Sequence, residues 1–117
     1  MRGHAKDVLE RYEAAISDFD KGLQLKPDDA LAYFRRGSAK DELGHYEAAI
    51  SDFDECIKRE PNCAQGYFMR GYAKYGLKQT VEARADFQKG LELAEQEENE
   101  ELIEEVKQSL QELDNLD

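Results

Sequence analysis

Four side chains in this sequence could carry chemistry on their own: Cys56, Cys63, His4 and His45. Paired thiols that hold a metal or cycle through a disulfide sit two or three residues apart, whereas Cys63 follows Cys56 by seven. His4 and His45 lie far apart in the chain, and His45 falls in a turn where a helix begins. No glycine-rich phosphate loop follows a strand, because no strand is expected. The sequence thus offers no metal site, no cofactor site and no catalytic pair, and it reads as a non-enzyme. Both thiols are expected to be free, which suits a reducing compartment.

Arg2, Arg36 and Arg70 are the other chemical candidates, since guanidinium groups in register could bind an anion. They recur at the same interval as Asp18 and Asp52, and as Asp20 and Asp54. If each arginine-bearing segment packs on the segment before it, Arg36 reaches Asp18 or Asp20. Arg70 likewise reaches Asp52 or Asp54. A structural ladder of ion pairs is the expectation, in place of an anion site.

The interval itself is what positions these groups. Tyr12–Asp20 and Tyr46–Asp54 carry the same nine residues, 34 positions apart. The register extends to Arg2-Gly3, Arg36-Gly37 and Arg70-Gly71, to Ala5, Ala39 and Ala73, and to Lys6, Lys40 and Lys74. It continues through Ala15, Ala49 and Ala83, then Asp18, Asp52 and Asp86, then Phe19, Phe53 and Phe87. Leu23, Ile57 and Leu91 close the series, and Pro27 matches Pro61. Self-similarity at such a period marks a repeat architecture.

Each unit contains two helical patterns. Pro27-Asp28-Asp29 precedes Ala30–Leu43, and Gly44 follows it; aspartate can cap the free N–H groups of a first turn, and glycine can end a helix left-handed. From Tyr46 to Arg59, the residues Ala49, Ile50, Phe53, Cys56 and Ile57 form one apolar stripe. Pro61 and Asn62 then break the chain again. The unit is a helix, a short turn and a second helix.

A mid-helix glycine costs roughly 1 kcal/mol relative to alanine, so Gly37 and Gly71 in phase imply a close helix approach. Ala49 and Ala83 are the expected opposing positions, with Tyr46 and Phe53 filling the space on either side. Cys56 stands where Gly22 and Gly90 stand, at a small-residue packing site. With Tyr33, Gly37, Tyr46, Ala49, Phe53 and Pro61 in one copy, the chain resembles the tetratricopeptide repeat over about residues 1–95. The resemblance implies an all-α solenoid of stacked antiparallel helix pairs, whose first helices line a concave groove for a protein or peptide partner. Carried over, the groove residues are Phe34, Arg35, Ser38 and Asp41 in the second repeat and Phe68, Met69, Tyr72 and Tyr75 in the third. Leu31, Glu42, Gln65 and Gly76 flank them, and His4, Asp7 and Val8 come from the first repeat. Some family members grip the C-terminal carboxylate of heat-shock chaperones with lysine, asparagine and arginine. Here the corresponding positions hold His4, Arg35, Gln65 and Met69, so that clamp is not expected.

The ends depart from the pattern. The expected division is a truncated first repeat (1–27), two repeats (28–61 and 62–96) and an acidic capping helix (97–117), all in one domain. In the third repeat Lys78 replaces Gly44's counterpart and Thr80 replaces Tyr46's; Thr80 is the expected helix cap. Glu95 replaces Pro61's counterpart, so that helix is expected to run to about Gln96. Leu102, Ile103, Val106, Leu110 and Leu113 then form an apolar stripe with no counterpart upstream, as a terminal cap requires.

Charge is concentrated there too. Of a net charge of −11 over 117 residues, Glu92–Asp117 supplies 11 acidic residues against Lys107 alone. No positive field attracts phosphates, so a nucleic-acid ligand is excluded. No run approaches the roughly 20 apolar residues of a membrane span, and no apolar leader follows Met1, so the cytoplasm is the expected compartment. The leading reading is a non-catalytic scaffold or adaptor that holds a peptide or helix of a partner. The alternative is a self-associating structural block, a homo-oligomer formed through the truncated first repeat, with helix exchange there, or through the flat solenoid face.

Overall fold

A computed structural model describes residues 2–116, with side chains placed from Asp7 onward. Met1, the side chains of Arg2, His4, Ala5 and Lys6, and Asp117 lie outside the described part. Six helices follow one another: α1 (Arg2–Leu25), α2 (Ala30–Glu42), α3 (Tyr46–Arg59), α4 (Ala64–Gly76), α5 (Thr80–Gln96) and α6 (Glu100–Asn115). There is no strand among the described residues.

Local chemistry sets most of the boundaries. Asp29 caps α2, its carboxylate accepting from the Ala32 N–H at 3.2 Å. Asn99 does the same for α6 through Leu102, and the thiol sulfur of Cys63 does it for α4 through Gly66. Gly44 ends the first turn with φ +79°, a left-handed value that glycine adopts without strain. Lys78, at the equivalent turn, adopts φ 64° despite its side chain, and Glu98 adopts φ 57° in the turn before α6. Thr80 is not the cap of α5: it is the first helical residue, and Gln79 precedes it without a side-chain bond. His45 stands at the start of α3, also without one.

The first copy does not fold as a helix, turn and helix. Its residues run through as one 24-residue helix, α1. Glu10 stands where Gly44 stands in the second copy, and a left-handed residue that is not glycine costs about 1–2 kcal/mol. In the third copy Lys78 bears that cost because α4 and α5 are pinned together by a shared core. The first copy has no such pinning among its described residues, so the helix continues.

The remaining helices stack as pairs, α2 with α3 and α4 with α5, with α1 on α2, α3 on α4 and α6 on α5. The core between the second and third repeats is Ala49, Phe53 and Ala73, with Phe34, Tyr46, Ile50 and Met69 against it. A larger core joins Ala64, Phe68, Ala83 and Phe87 to Leu93 of α5 and Leu102, Ile103, Val106 and Leu113 of α6. Phe53, Phe87 and Val106 are the largest fully enclosed side chains. Burying each contributes roughly 1.5–3 kcal/mol, so α6 is bound to the array by its apolar stripe.

The glycines work as their phase implied. A Cβ on Gly37 would stand 2.9 Å from the Phe53 ring, and one on Gly71 equally close to Phe87 and 3.1 Å from the Ala83 carbonyl. Tyr46 packs on the Ala49 and Phe53 core. Its ring crosses to the next repeat and covers Gly76 at 2.8 Å from an added Cβ.

Candidate functional site

Arg36 and Arg70 are structural; the side chain of Arg2 lies outside the described residues. Arg36 donates from Nε and Nη2 to both oxygens of Asp52, at 2.9 and 2.7 Å, and from Nη1 to Asp20 at 2.8 Å. Arg70 repeats this with Asp86 (2.9 and 2.7 Å) and Asp54 (2.9 Å). Lys40 and Lys74 complete the clusters, each 3.0 Å from Asp52 or Asp86. Of the two inter-repeat partners expected for each arginine, one is present, Asp20 or Asp54. The bidentate partner lies in the arginine's own repeat, where the aspartate is 3% or 5% exposed. These charges neutralise one another and leave no vacant donor set for an external anion.

Two open clefts lie on the face lined by α2, α4 and α6. The first has a volume of about 370 Å³, with Asp41 and Glu42 on α2, Met69 and Tyr72 on α4, and Glu105 and Glu112 on α6. The second, about 390 Å³, adjoins it: Asp41, Glu42 and Tyr72 are shared, and Tyr46 and Tyr75 extend it. Tyr72 is 45% exposed, so its ring is available to a ligand. It is held edge-on to Phe68 at 5.8 Å and to Phe87 at 6.3 Å.

The residues carried over from the repeat pattern divide accordingly. Asp41, Met69, Tyr72 and Tyr75 come together at the clefts. Phe68 touches the first cleft at its floor but is otherwise enclosed in the core. Phe34 is turned onto Phe53, with ring centroids 5.8 Å apart. Arg35 is exposed and Ser38 half-buried on the same helix, outside both clefts. Glu105, Gln108, Ser109 and Glu112 complete the first cleft from α6 and were missed. Glu105, Gln108 and Glu112 stand on the polar side of the Leu102–Val106 stripe, whereas Ser109 lies on the buried face itself.

The thiols are closer than their spacing suggested. Both are free. Cys56, at the buried end of α3, neighbours Cys63, which caps the next helix. The Cys56 side chain, and then the Gly66 N–H, draw the Cys63 thiol down to about 6. The same contact and burial push Cys56 up. Among the described residues no group of histidine, cysteine and carboxylate side chains could hold a metal ion.

Stacked helix pairs repeated along the chain define a helical repeat array. The tetratricopeptide repeat model matches residues 1–29, 30–63 and 64–97, and the chain belongs to that family. No curated protein sequence matches the chain significantly. Among solved structures, the complex of the TPR2B domain of yeast Sti1 with pHsp70 superposes with a TM-score of 0.86 at 19% identity, covering 92% of this chain and 86% of that one. The first TPR of Spaghetti (RPAP3), bound to the HSP90 peptide SRMEEVD, gives 0.81 at 24% identity, covering 98% and 86%. PcrH in complex with the chaperone-binding region of PopD gives 0.85 at 19%, covering 97% and 86%. At these identities the likeness is one of fold.

Proposed function

We propose that the chain is a protein-interaction module, a non-catalytic scaffold or adaptor that holds a peptide or helix of a partner protein in its concave groove. The observation that carries this is the exposed Tyr72 ring set in a cleft between three helices, with Met69 beside it. Partly exposed aromatics in such pockets are the usual energetic anchors of interfaces. The Spaghetti and PcrH structures, each with a peptide or a region of a partner, support the reading. Phe34, Arg35, Ser38, Asp41, Phe68, Met69, Tyr72 and Tyr75 form the proposed contact set, centred on Asp41, Met69 and Tyr72. No described helix is long and apolar enough to cross a membrane, and two free thiols favour the cytoplasm. Capture of partners from cell extract tests the reading. Tyr72→Ala should lose the captured protein while Lys58→Ala, on an exposed position of α3 away from the clefts, keeps it. Equal loss in both would move the site elsewhere.

A second reading, self-association through α1, is favoured by one observation. Val8 and Leu9 on the continuous helix are 38% and 46% exposed. Sedimentation at several concentrations separates the two, because a tight dimer that Val8→Ser and Leu9→Ser dissolve would support self-association.

A further inference from the structure

The first cleft carries four carboxylates, Asp41, Glu42, Glu105 and Glu112, and no lysine or arginine lines it. They surround Met69 and the exposed Tyr72 ring and come from both walls, α2 and α6. One oxygen of Asp41 is shielded from solvent, and no donor among the described residues reaches it. A shielded, unpartnered carboxylate oxygen is unfavourable until a donor arrives. Among the described residues no group of three or more carboxylate, histidine or cysteine side chains is placed to hold a metal ion. What fits is an organic cation on an apolar stem. A lysine or arginine chain can lay its methylenes on Met69 and Tyr72 and deliver its charge to Asp41.

We propose that the groove selects a basic segment of its partner, inserting a lysine or arginine against Asp41 between α2 and the capping helix. The proposal rests on the groove being the binding face, and it adds the charge of the ligand. It also sets this groove apart from that of Spaghetti (RPAP3), whose bound peptide SRMEEVD carries three acidic residues and one basic one. Burial, and then the neighbouring Glu42, push the Asp41 carboxyl up to about 6. Facing it are Glu42 on α2, Tyr46 on α3, Tyr72 and Tyr75 on α4, and Glu105 and Glu112 on α6. A cation favours the ionised form, so affinity should fall as the pH drops below that value.

The test uses the full chain and three short amidated peptides, of lysine and leucine, glutamine and leucine, and glutamate and leucine, measured by fluorescence anisotropy. The lysine peptide should bind at least about tenfold more tightly than the glutamine peptide, and the glutamate peptide should not bind. Asp41→Asn should weaken the lysine peptide about tenfold and remove most of its loss of affinity between about pH 7 and pH 5. Glu101→Gln with Glu104→Gln, on the exposed face of α6 outside the cleft, should leave binding unchanged. If that pair weakens binding as much as Asp41→Asn, the attraction is a general one and the proposal fails. If all three peptides bind alike and Tyr72→Ala weakens each, the groove reading stands and the charge selection falls. If nothing binds, or binding ignores Tyr72→Ala, both fall.

Discussion

The ring of Phe87 lies 2.9 Å from where a Cβ on Gly71 would stand, with the Ala83 carbonyl 3.1 Å away on the other side. Phe87 is enclosed in the core and the carbonyl is backbone, so neither can yield cheaply. Gly71→Ala should therefore destabilise the chain by about 1–3 kcal/mol, although alanine is the better helix former by about 1 kcal/mol. Gly22, in α1, has open space around its Cα, and Gly22→Ala should stabilise by up to about 1 kcal/mol. Urea unfolding of the two variants checks the contrast, and a shared sign would mean that packing does not decide it.

Asp86 anchors both Arg70 and Lys74 from a position 5% exposed. Asp86→Asn removes the charge but little of the volume. Breaking a buried pair costs about 3–5 kcal/mol; here about 2–4 kcal/mol is expected, since Arg70 keeps Asp54 and some solvent. Asp54→Asn, at the exposed end of the same cluster, should cost less than about 1 kcal/mol. Thermal melts of both variants provide the comparison.

Cys63 should be the reactive thiol. Its thiolate, favoured by the Cys56 side chain and the Gly66 N–H, predominates above about pH 6, whereas an ordinary thiol at 9.0 remains protonated there. Iodoacetamide should modify Cys63 with a rate that climbs through about pH 6, and Cys56 only on unfolding. Cys56→Ala removes the larger of these influences and should shift that rise upward. An unshifted profile would assign the effect to the helix start alone.

Removing residues 99–117 should uncover Phe87, Leu93 and Ala94, which now pack in one core with Leu102, Ile103, Val106 and Leu113. An uncapped array of this kind associates or precipitates. Light scattering across concentration would show it, and a monodisperse, equally stable truncation would demote α6 to a tail.

Much of this architecture was legible because the repeat constrains it. Tyr46–Arg59 is the same span in sequence and structure, since Gly44 and Pro61 bracket an apolar stripe. What escaped lies where the register gives out. The interval brought Arg36 to Asp20 but was equally compatible with Asp52, sixteen residues on in its own repeat. Cys56 and Cys63 looked unrelated by spacing, yet the turn between α3 and α4 folds one helix end onto the next helix start. Helix α1 runs on because Glu10 is a good helix former and no shared core among the described residues pins a turn there, as one does at Lys78. The acidic wall of the cleft was hidden because α6 has no counterpart upstream to fix which face turns inward.

The ion clusters have a consequence for how many units can be strung together. Asp20 and Asp54 each offer a carboxylate to the arginine of the following repeat. In the third repeat the same position is Gln88, and α5 meets α6 through a different ion pair, Arg84 with Asp114. The cluster thus acts as a coupling fitting, present on two units and blanked off on the third. Duplicating residues 30–63 in place would preserve every fitting, whereas a unit appended after α5 would meet Gln88 and forgo one. The point of lengthening thus sets how many fittings a longer array carries.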